Sequence, residues 1–420
     1  MRRLTWRLYI GLLFASGGWG QTATPPRALT WQETEERFRA NNPTLQAGKL
    51  TIEESRADEI TAFLRPNPNL NLSLDQITPF YTSPYRPLWQ SFPSGGIDYL
   101  HEREHKRELR LASARGATAA AISAQSDLER NLLFDLRDAF VRVLLEKAVW
   151  GVAKENLEYY DKEIAINRDR FNAGAIAKVD LQRLELQRVQ FESDLQTALV
   201  NLRTAKIDLL ALLRDRTPVD EFDVTEPFEF SEPVTTREEL RNLALNTRPD
   251  LKEAEQSLDK ARTDHQLAIA NGSSDPTFGA SASRQAAPLN TYIGFSVSFP
   301  LRIFDKNQGE KQRTLLDIGR NEKLRDEAEI TVLRDVDSAY ATLESTLVLV
   351  RPYKEKYMKE AEEIRSTVSF AYERGAASLL DYLDAQKQYR DTELGYVNLV
   401  GAYFSAANQV NFAVGREVIR

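Results

Sequence analysis

Phe171–Gln187 reads FNAGAIAKVDLQRLELQ, and Tyr372–Gln388 reads YERGAASLLDYLDAQKQ. A shift of 201 positions lays one on the other, bringing Gly174 onto Gly375, Ala175 onto Ala376 and Asp180 onto Asp381. Further along, Gln187 meets Gln388, Glu192 meets Glu393 and Ala205 meets Ala406. Apolar positions fall on apolar ones: Phe171 on Tyr372, Val179 on Leu380, Leu181 on Tyr382 and Leu195 on Tyr396. Each copy reads as a helix end, a Gly-Ala break, and a new helix with an acid in its first turn. Glycine tolerates the positive φ that ends a helix, and an early Asp complements the positive end of the next helix dipole. One copy is a generic helical hairpin. Two copies at a long fixed spacing are a tandem duplication, with tips at about 173–179 and 374–380.

Working outward, each half repeats one order of elements. Leu29–Phe63 reads as helix, interrupted at Asn41-Asn42-Pro43. Pro66 and Pro68 stop it, and Asn69–Asp75 alternates leucines with polar residues as a strand does. Ile77–Gly96, rich in Pro and aromatics, reads equally as an ordinary loop or as the interfacial aromatics of a membrane barrel, and the second strand is placed at about 96–101. Arg103 to Phe171 then reads as one uninterrupted helix of roughly 100 Å, marked by a buried stripe of Leu133, Leu136, Phe140, Leu144 and Ala148. Such a length belongs to a coiled coil or a helical barrel.

Pro218, Pro227 and Pro233 mark a joint at 214–236. Past it, Arg248-Pro249-Asp250-Leu251 stands where Asn42-Pro43-Thr44-Leu45 stood. Phe278, Ala280 and Ala282 alternate with small polar residues, as do Ile293, Phe295, Val297 and Phe299, giving strands at about 277–284 and 291–300. Leu333, Val336, Tyr340, Leu343, Leu347 and Val350 have the spacing of coiled-coil packing, and Pro352 should bend that helix.

Composition narrows the class. The chain has 420 residues, 42% hydrophobic and 28% charged, and no cysteine. Disulfides, thiolate metal sites and a lipidated N-terminal Cys are therefore not expected. Met1–Gly20 carries Arg2, Arg3 and Arg7, an apolar run and a cluster of small residues, which is the pattern of a secretory signal peptide. Cleavage is expected after Gly20. Loss of those three arginines moves the net charge from −7 to −10, a poor match for nucleic acid. His101 and His105 lack a nearby third ligand, so no metal site is expected. No Ser/His/Asp set and no phosphate-binding glycine loop stands out, so no catalytic residue, cofactor or enzyme activity is expected.

The motif G-A-x-(A/S)-x-x-D in two copies resembles the periplasmic tips of the TolC-like outer-membrane efflux family. The resemblance extends over the mature chain. Arg248-Pro249-Asp250-Leu251 is typical of it, and Pro300-Leu301-Arg302-Ile303-Phe304-Asp305-Lys306-Asn307-Gln308-Gly309-Glu310 is similar to an element of the divalent-cation-efflux (CzcC-like) branch, with Lys306 in place of an Arg. The resemblance implies a mostly α chain with a small β part: a signal peptide at 1–20, efflux repeats at 21–213 and 237–420, and the joint between them. It implies a homotrimer with a twelve-stranded outer-membrane barrel, in lipid, continued by a periplasmic helical barrel. Its partners would be a periplasmic adaptor (membrane fusion protein) and an inner-membrane pump of RND type. The rival is a soluble periplasmic coiled-coil scaffold or adaptor of an export complex.

The resemblance also assigns residues. Gly174, Ala175, Ile176 and Ala177, with Gly375, Ala376, Ala377 and Ser378, would be the adaptor-docking tips. Asp381 and Asp384 match the aspartates that ring the family's closed entrance, six carboxylates in a trimer. Tyr372 and Asp180 match residues of the latch between hairpins, whose usual Arg is here Ala377, implying a looser closed state. Against this stands the simpler account that Asp381 only caps a helix. With two Met, three His and no Cys, a soft-metal relay along the tunnel is not expected.

Overall fold

The structure, a computed structural model, describes residues 28–419 apart from 78–79, 81–83, 85, 89–90, 233–234 and 285–289. The expected signal peptide, part of the aromatic loop and most of the turn between the last two strands fall outside these. The first half runs α1 (Trp31–Asn41), α2 (Pro43–Phe63), β1 (Asn69–Asp75), β2 (Phe92–Leu100), α3 (Lys106–Asn172) and α4 (Lys178–Leu213). The second runs α5 (Arg237–Thr247), α6 (Pro249–Ala270), β3 (Thr277–Ser283), β4 (Tyr292–Ser298), α7 (Gln308–Pro352), α8 (Met358–Glu373) and α9 (Leu379–Val414). No helix among the described residues is long and apolar enough to cross a membrane; that says nothing of a β-barrel.

Local chemistry sets the boundaries. Thr30 and Thr236 each close a capping box, with Glu33 and Glu239. Leu29, expected in the first helix, therefore lies outside it and bridges to Val224. Asn42 caps α2 through its side chain, with Pro43 in the first turn where no amide is needed. After Pro352 the helix does not end; Tyr353–Tyr357 form a π-helical turn that leads into α8. Pro352 and the π turn together are a usual site for a bend in a continuous helix.

The four strands form one antiparallel sheet in the order β1-β2-β3-β4, so β2 and β3 join the two halves. Strand β2 begins at Phe92, inside the stretch expected to be loop. Pro93 and the Gly95-Gly96 pair read as breakers, but here the glycines serve close packing: a Cβ at Gly96 would sit 3.1 Å from the Ala280 carbonyl oxygen. The register puts Leu70 opposite Ile97, Ile97 opposite Ala280 and Ala280 opposite Phe295. Leu72, Leu74, Phe278, Ile293 and Val297 share that face by the alternation of strand side chains. Asn69, Asn71, Ser73, Asp98, Ser281 and Ser296 share the other, where the Ser73 and Ser94 hydroxyls lie 2.7 Å apart. The apolar face is bare: Leu72 is 75% and Phe295 85% exposed.

The helices hold three buried clusters. One gathers Phe38, Leu45, Leu136, Phe140 and Leu209 in the first half; another gathers Leu240, Val336, Leu343, Tyr403 and Val410 in the second. In α7 the fully buried residues include Val332 and Ala339, next to the Leu333 and Tyr340 of the expected stripe. The joint is strapped onto both clusters. Phe222 and Val224 enter the first and Phe230 the second, while Asp223 pairs with Lys147 and Lys206.

The structure also explains Arg248-Pro249-Asp250-Leu251. Arg248 is 3% exposed, and its guanidinium donates to both Asp250 carboxylate oxygens and to the Ala413 carbonyl oxygen. It lies 3.3 Å from Asp335 as well, so one cation ties α6 to α7 and α9. Burial pushes the Asp250 carboxyl up, but the Arg248 guanidinium outweighs it and leaves the group below its usual range.

Candidate functional site

Both tips are built alike. At the first, the Ala175 amide donates to the Arg170 carbonyl and the Gly174 amide to Phe171; at the second, Ala376 donates to Ala371 and Gly375 to Tyr372. Gly174 and Gly375 share a φ of +76°, and nothing lies within 4 Å of a Cβ built on either. Glycine is needed there for its backbone conformation, since there is room for a side chain. Gly174, Ala175, Ala177, Gly375, Ala376 and Ser378 are exposed, while Ile176 and Ala377 are half-buried.

The tips differ in how the next helix starts. Ser378 closes a capping box with Asp381, whose Oδ2 accepts from the Ser378 amide at 3.1 Å and hydroxyl at 2.7 Å. These bonds hold the Asp381 carboxyl below its usual range. Ala177 can form no such box, so Asp180 has no capping partner there. A helix cap therefore accounts for Asp381. It does not account for Asp384, one turn on, which is exposed and accepts from Gln388 at 2.8 Å.

Above the tips, the two hairpins meet in a third cluster that mixes aromatic and polar groups. Tyr160 stacks on Phe191 and Tyr372 on Tyr382, with ring centroids 4.6 and 4.8 Å apart. Tyr372 is buried, and its hydroxyl donates to Asn167 Oδ1 at 3.1 Å rather than to Asp180. The Arg170 guanidinium lies over the Tyr372 ring, 4.9 Å from its centroid. Arg170 thus brings a cation to the junction from the α3 side, where Ala377 supplies none. Asn167 and Arg170 were not singled out from the sequence; their only signal was a polar residue on an otherwise buried helix stripe.

Two carboxylates are also caught between the hairpins. Glu163 is 7% exposed and is pushed above its ordinary value by burial, only partly offset by the nearby Tyr382 and Tyr159 hydroxyls and Arg170, with Glu373 adding to the rise. Glu393 is raised by burial too, although Asn156 donates to it at 3.2 Å. Gln386 ties across the same seam, to Ser369 in its own hairpin and Tyr159 in the other. Among the described residues no group of three or more His, Cys, Asp or Glu could hold a metal ion; His105 sits at the left-handed position before α3, and His101 lies edge-on to Phe278.

Comparison with known proteins points one way. A family model described as outer membrane efflux protein matches residues 240–416. The cobalt-zinc-cadmium resistance protein CzcC of Cupriavidus metallidurans is 22% identical over 391 residues, covering 92% of this chain and 90% of that one. Outer membrane protein TolC of Escherichia coli is 23% identical over 421 residues, covering 92% and 81%. Among solved structures, the open state of the Neisseria gonorrhoeae MtrE outer membrane channel superposes with a TM-score of 0.73 at 17% identity, covering 94% and 90%.

The buried Glu163 predicts a pH dependence. A carboxyl whose pKa is raised by folding stabilises most below its ordinary value of about 4.3, and that contribution is lost as pH rises through the folded value. Thermal melts between about pH 5 and pH 8 should show wild type losing stability faster than Glu163→Gln. Parallel curves would mean that the Glu163 charge is not confined between the hairpins.

Proposed function

We propose that the chain, which matches the outer membrane efflux protein family model over residues 240–416, is the outer-membrane channel of a tripartite efflux system, three copies closing one twelve-stranded barrel continued by a tunnel of helices in the periplasm. The observation that carries this reading is the sheet. One whole face is apolar and exposed, and β1 and β4 are open edges. Each unpaired backbone group costs several kcal/mol in hydrocarbon, so a four-stranded sheet enters lipid only when neighbouring copies pair its edges. A soluble scaffold would leave the apolar face in water, which disfavours that alternative.

The duplication supplies a template for the contact between copies. Within the chain, α3 packs on α6 and α9. In the second half, α7 and α8 stand where α3 stands, and in the first, α2 and α4 stand where α6 and α9 stand. Carrying the packing one step on joins α7 and α8 of one copy to α2 and α4 of the next. Apolar residues wait on those faces: Leu316, Ile330 and Val348 on α7, Leu50 and Ile60 on α2, Leu186 and Val200 on α4 are all more than half exposed. Three copies then give six near-equivalent hairpins.

In this assembly the tips dock the hairpins of a periplasmic adaptor fed by an RND-type pump, their short side chains letting backbones approach. Asp381 and Asp384 ring the entrance, and the buried seam around Tyr372 holds each protomer's two hairpins together. The likeness to the cobalt-zinc-cadmium resistance protein and the Pro300–Glu310 motif support divalent cations as cargo.

Three measurements test these assignments. Val297→Arg should cost about 2–4 kcal/mol near the bilayer midplane and block membrane assembly, while Ser296→Arg assembles; the reverse pattern would turn the sheet inside out. Ala376→Trp should abolish resistance to zinc and cobalt while the trimer still forms, and unchanged resistance would remove this tip from the adaptor contact. In planar bilayers the wild type should be cation-selective and blocked by trivalent cations. Asp381→Asn with Asp384→Asn should lose that block; retention would make both aspartates structural.

A further inference from the structure

The connection from β4 to α7 carries an exposed apolar patch that the fold itself does not require. Leu301 is 81%, Ile303 64% and Phe304 90% exposed. The segment around them is well tied. The Asn307 side chain donates to the Ala268 carbonyl at 2.8 Å, Gln308 donates to the Phe304 carbonyl at 3.2 Å, and the Ile303 amide donates to Leu301 at 3.0 Å. These bonds anchor the segment, while its apolar side chains are presented outward.

The duplication provides an internal control. In both halves the residue before the long helix is left-handed, His105 with φ 53° and Asn307 with φ 62°. Counting back from these, Ile303 and Phe304 stand where His101 and Glu102 stand in the first half. There the same turn is polar and folded inward: Glu102 pairs with Arg110, and the Arg103 amide donates to Asp275 at 2.9 Å. The turn is thus built equally well from polar residues. Three large apolar side chains in water need another explanation.

They also continue a surface. Ile293, Phe295 and Val297 point outward along β4, and the odd-numbered series runs on through Phe299, Leu301 and Ile303. Arg302, which lies 4.0 Å from the exposed Asp305, and the exposed Lys306 flank the patch, two cations to one carboxylate. An apolar stripe that leaves a membrane-facing strand and ends in a charged cluster of net positive sign matches the boundary between acyl chains and headgroups. We propose that Leu301, Ile303 and Phe304 form an interfacial foot, one per copy, that inserts into the periplasmic leaflet, with Arg302 and Lys306 against anionic phospholipid headgroups. This rests on the barrel reading above.

The chain has no cysteine, so single labels can be placed without background. Phe304→Cys, Glu102→Cys and Val297→Cys, each carrying a nitroxide, would be reconstituted as full chains into vesicles of phosphatidylethanolamine and phosphatidylglycerol. Collision rates with oxygen, which partitions into lipid, and with a water-soluble nickel chelate are then compared. The proposal expects the oxygen-to-nickel ratio at 304 to be severalfold above that at 102 and nearer that at 297. A water-accessible 304 beside a lipid-accessible 297 overturns the foot and leaves the barrel standing. A 304 label shielded from both reagents assigns the patch to another protein surface and also overturns it. Water accessibility at 297 brings down the barrel reading itself.

Discussion

A backbone amide or carbonyl in hydrocarbon must be paired, and four strands in a row cannot pair their own outer edges. That constraint governs everything else in this chain. The sheet is antiparallel, its register keeps Leu72, Ile97, Ala280 and Phe295 on one face, and its two outer strands stay open. In the proposed trimer, such a chain supplies one third of the barrel. The helices inherit the same incompleteness: α4, α7 and α2 carry rows of exposed aliphatic residues that their own chain does not cover. Duplication eases the assembly problem, because one kind of packing, already present between α3 and α9, can serve again between copies.

The seam between the hairpins is of a different character from the cores above it. The upper clusters are aliphatic and aromatic, with Leu136, Phe140, Leu209, Val336 and Val410 almost wholly buried. Near the tips, Asn167, Glu163 and Gln386 are buried among Tyr160, Tyr372 and Tyr382. A purely apolar interface would resist separation at any pH. A polar one is held by directed bonds such as Tyr372 to Asn167, and is weakened by any charge that has to stay ionised inside it. Such a junction suits a place where two hairpins must hold together and also part.

Asp381 and Asp384 show where motif reading stops. Both were matched to an entrance ring by family resemblance, yet the two carboxylates have different local duties. Asp381 is half-committed to Ser378, and Asp384 accepts from Gln388 in its own helix. Asp180, the repeat counterpart of Asp381, has no cap because Ala177 has no hydroxyl. The latch was legible only in part. Tyr372 was found by its place before the Gly-Ala break, but its partners Asn167 and Arg170 lie some two hundred positions away, on a helix that signals them only as polar residues along a buried stripe.

What the sequence determined by itself was local and periodic: the repeat, the strand alternation, the helix lengths, and breaks at Asn42-Pro43, Gly174 and Gly375. These follow from backbone conformational preference and from side-chain spacing, both readable within a few residues. Only the tertiary structure decided that β2 starts at Phe92, because Pro93 and Gly95-Gly96 look like breakers until a neighbouring strand needs their small profile. Only it decided that Leu29 leaves its helix for Val224, that Arg248 ties three helices together, and that Glu163 is shut between hairpins. Each of those outcomes is fixed by a partner far away in the chain. Close approach, a shared ion pair and loss of water are properties of the pair, and no single stretch of sequence carries them.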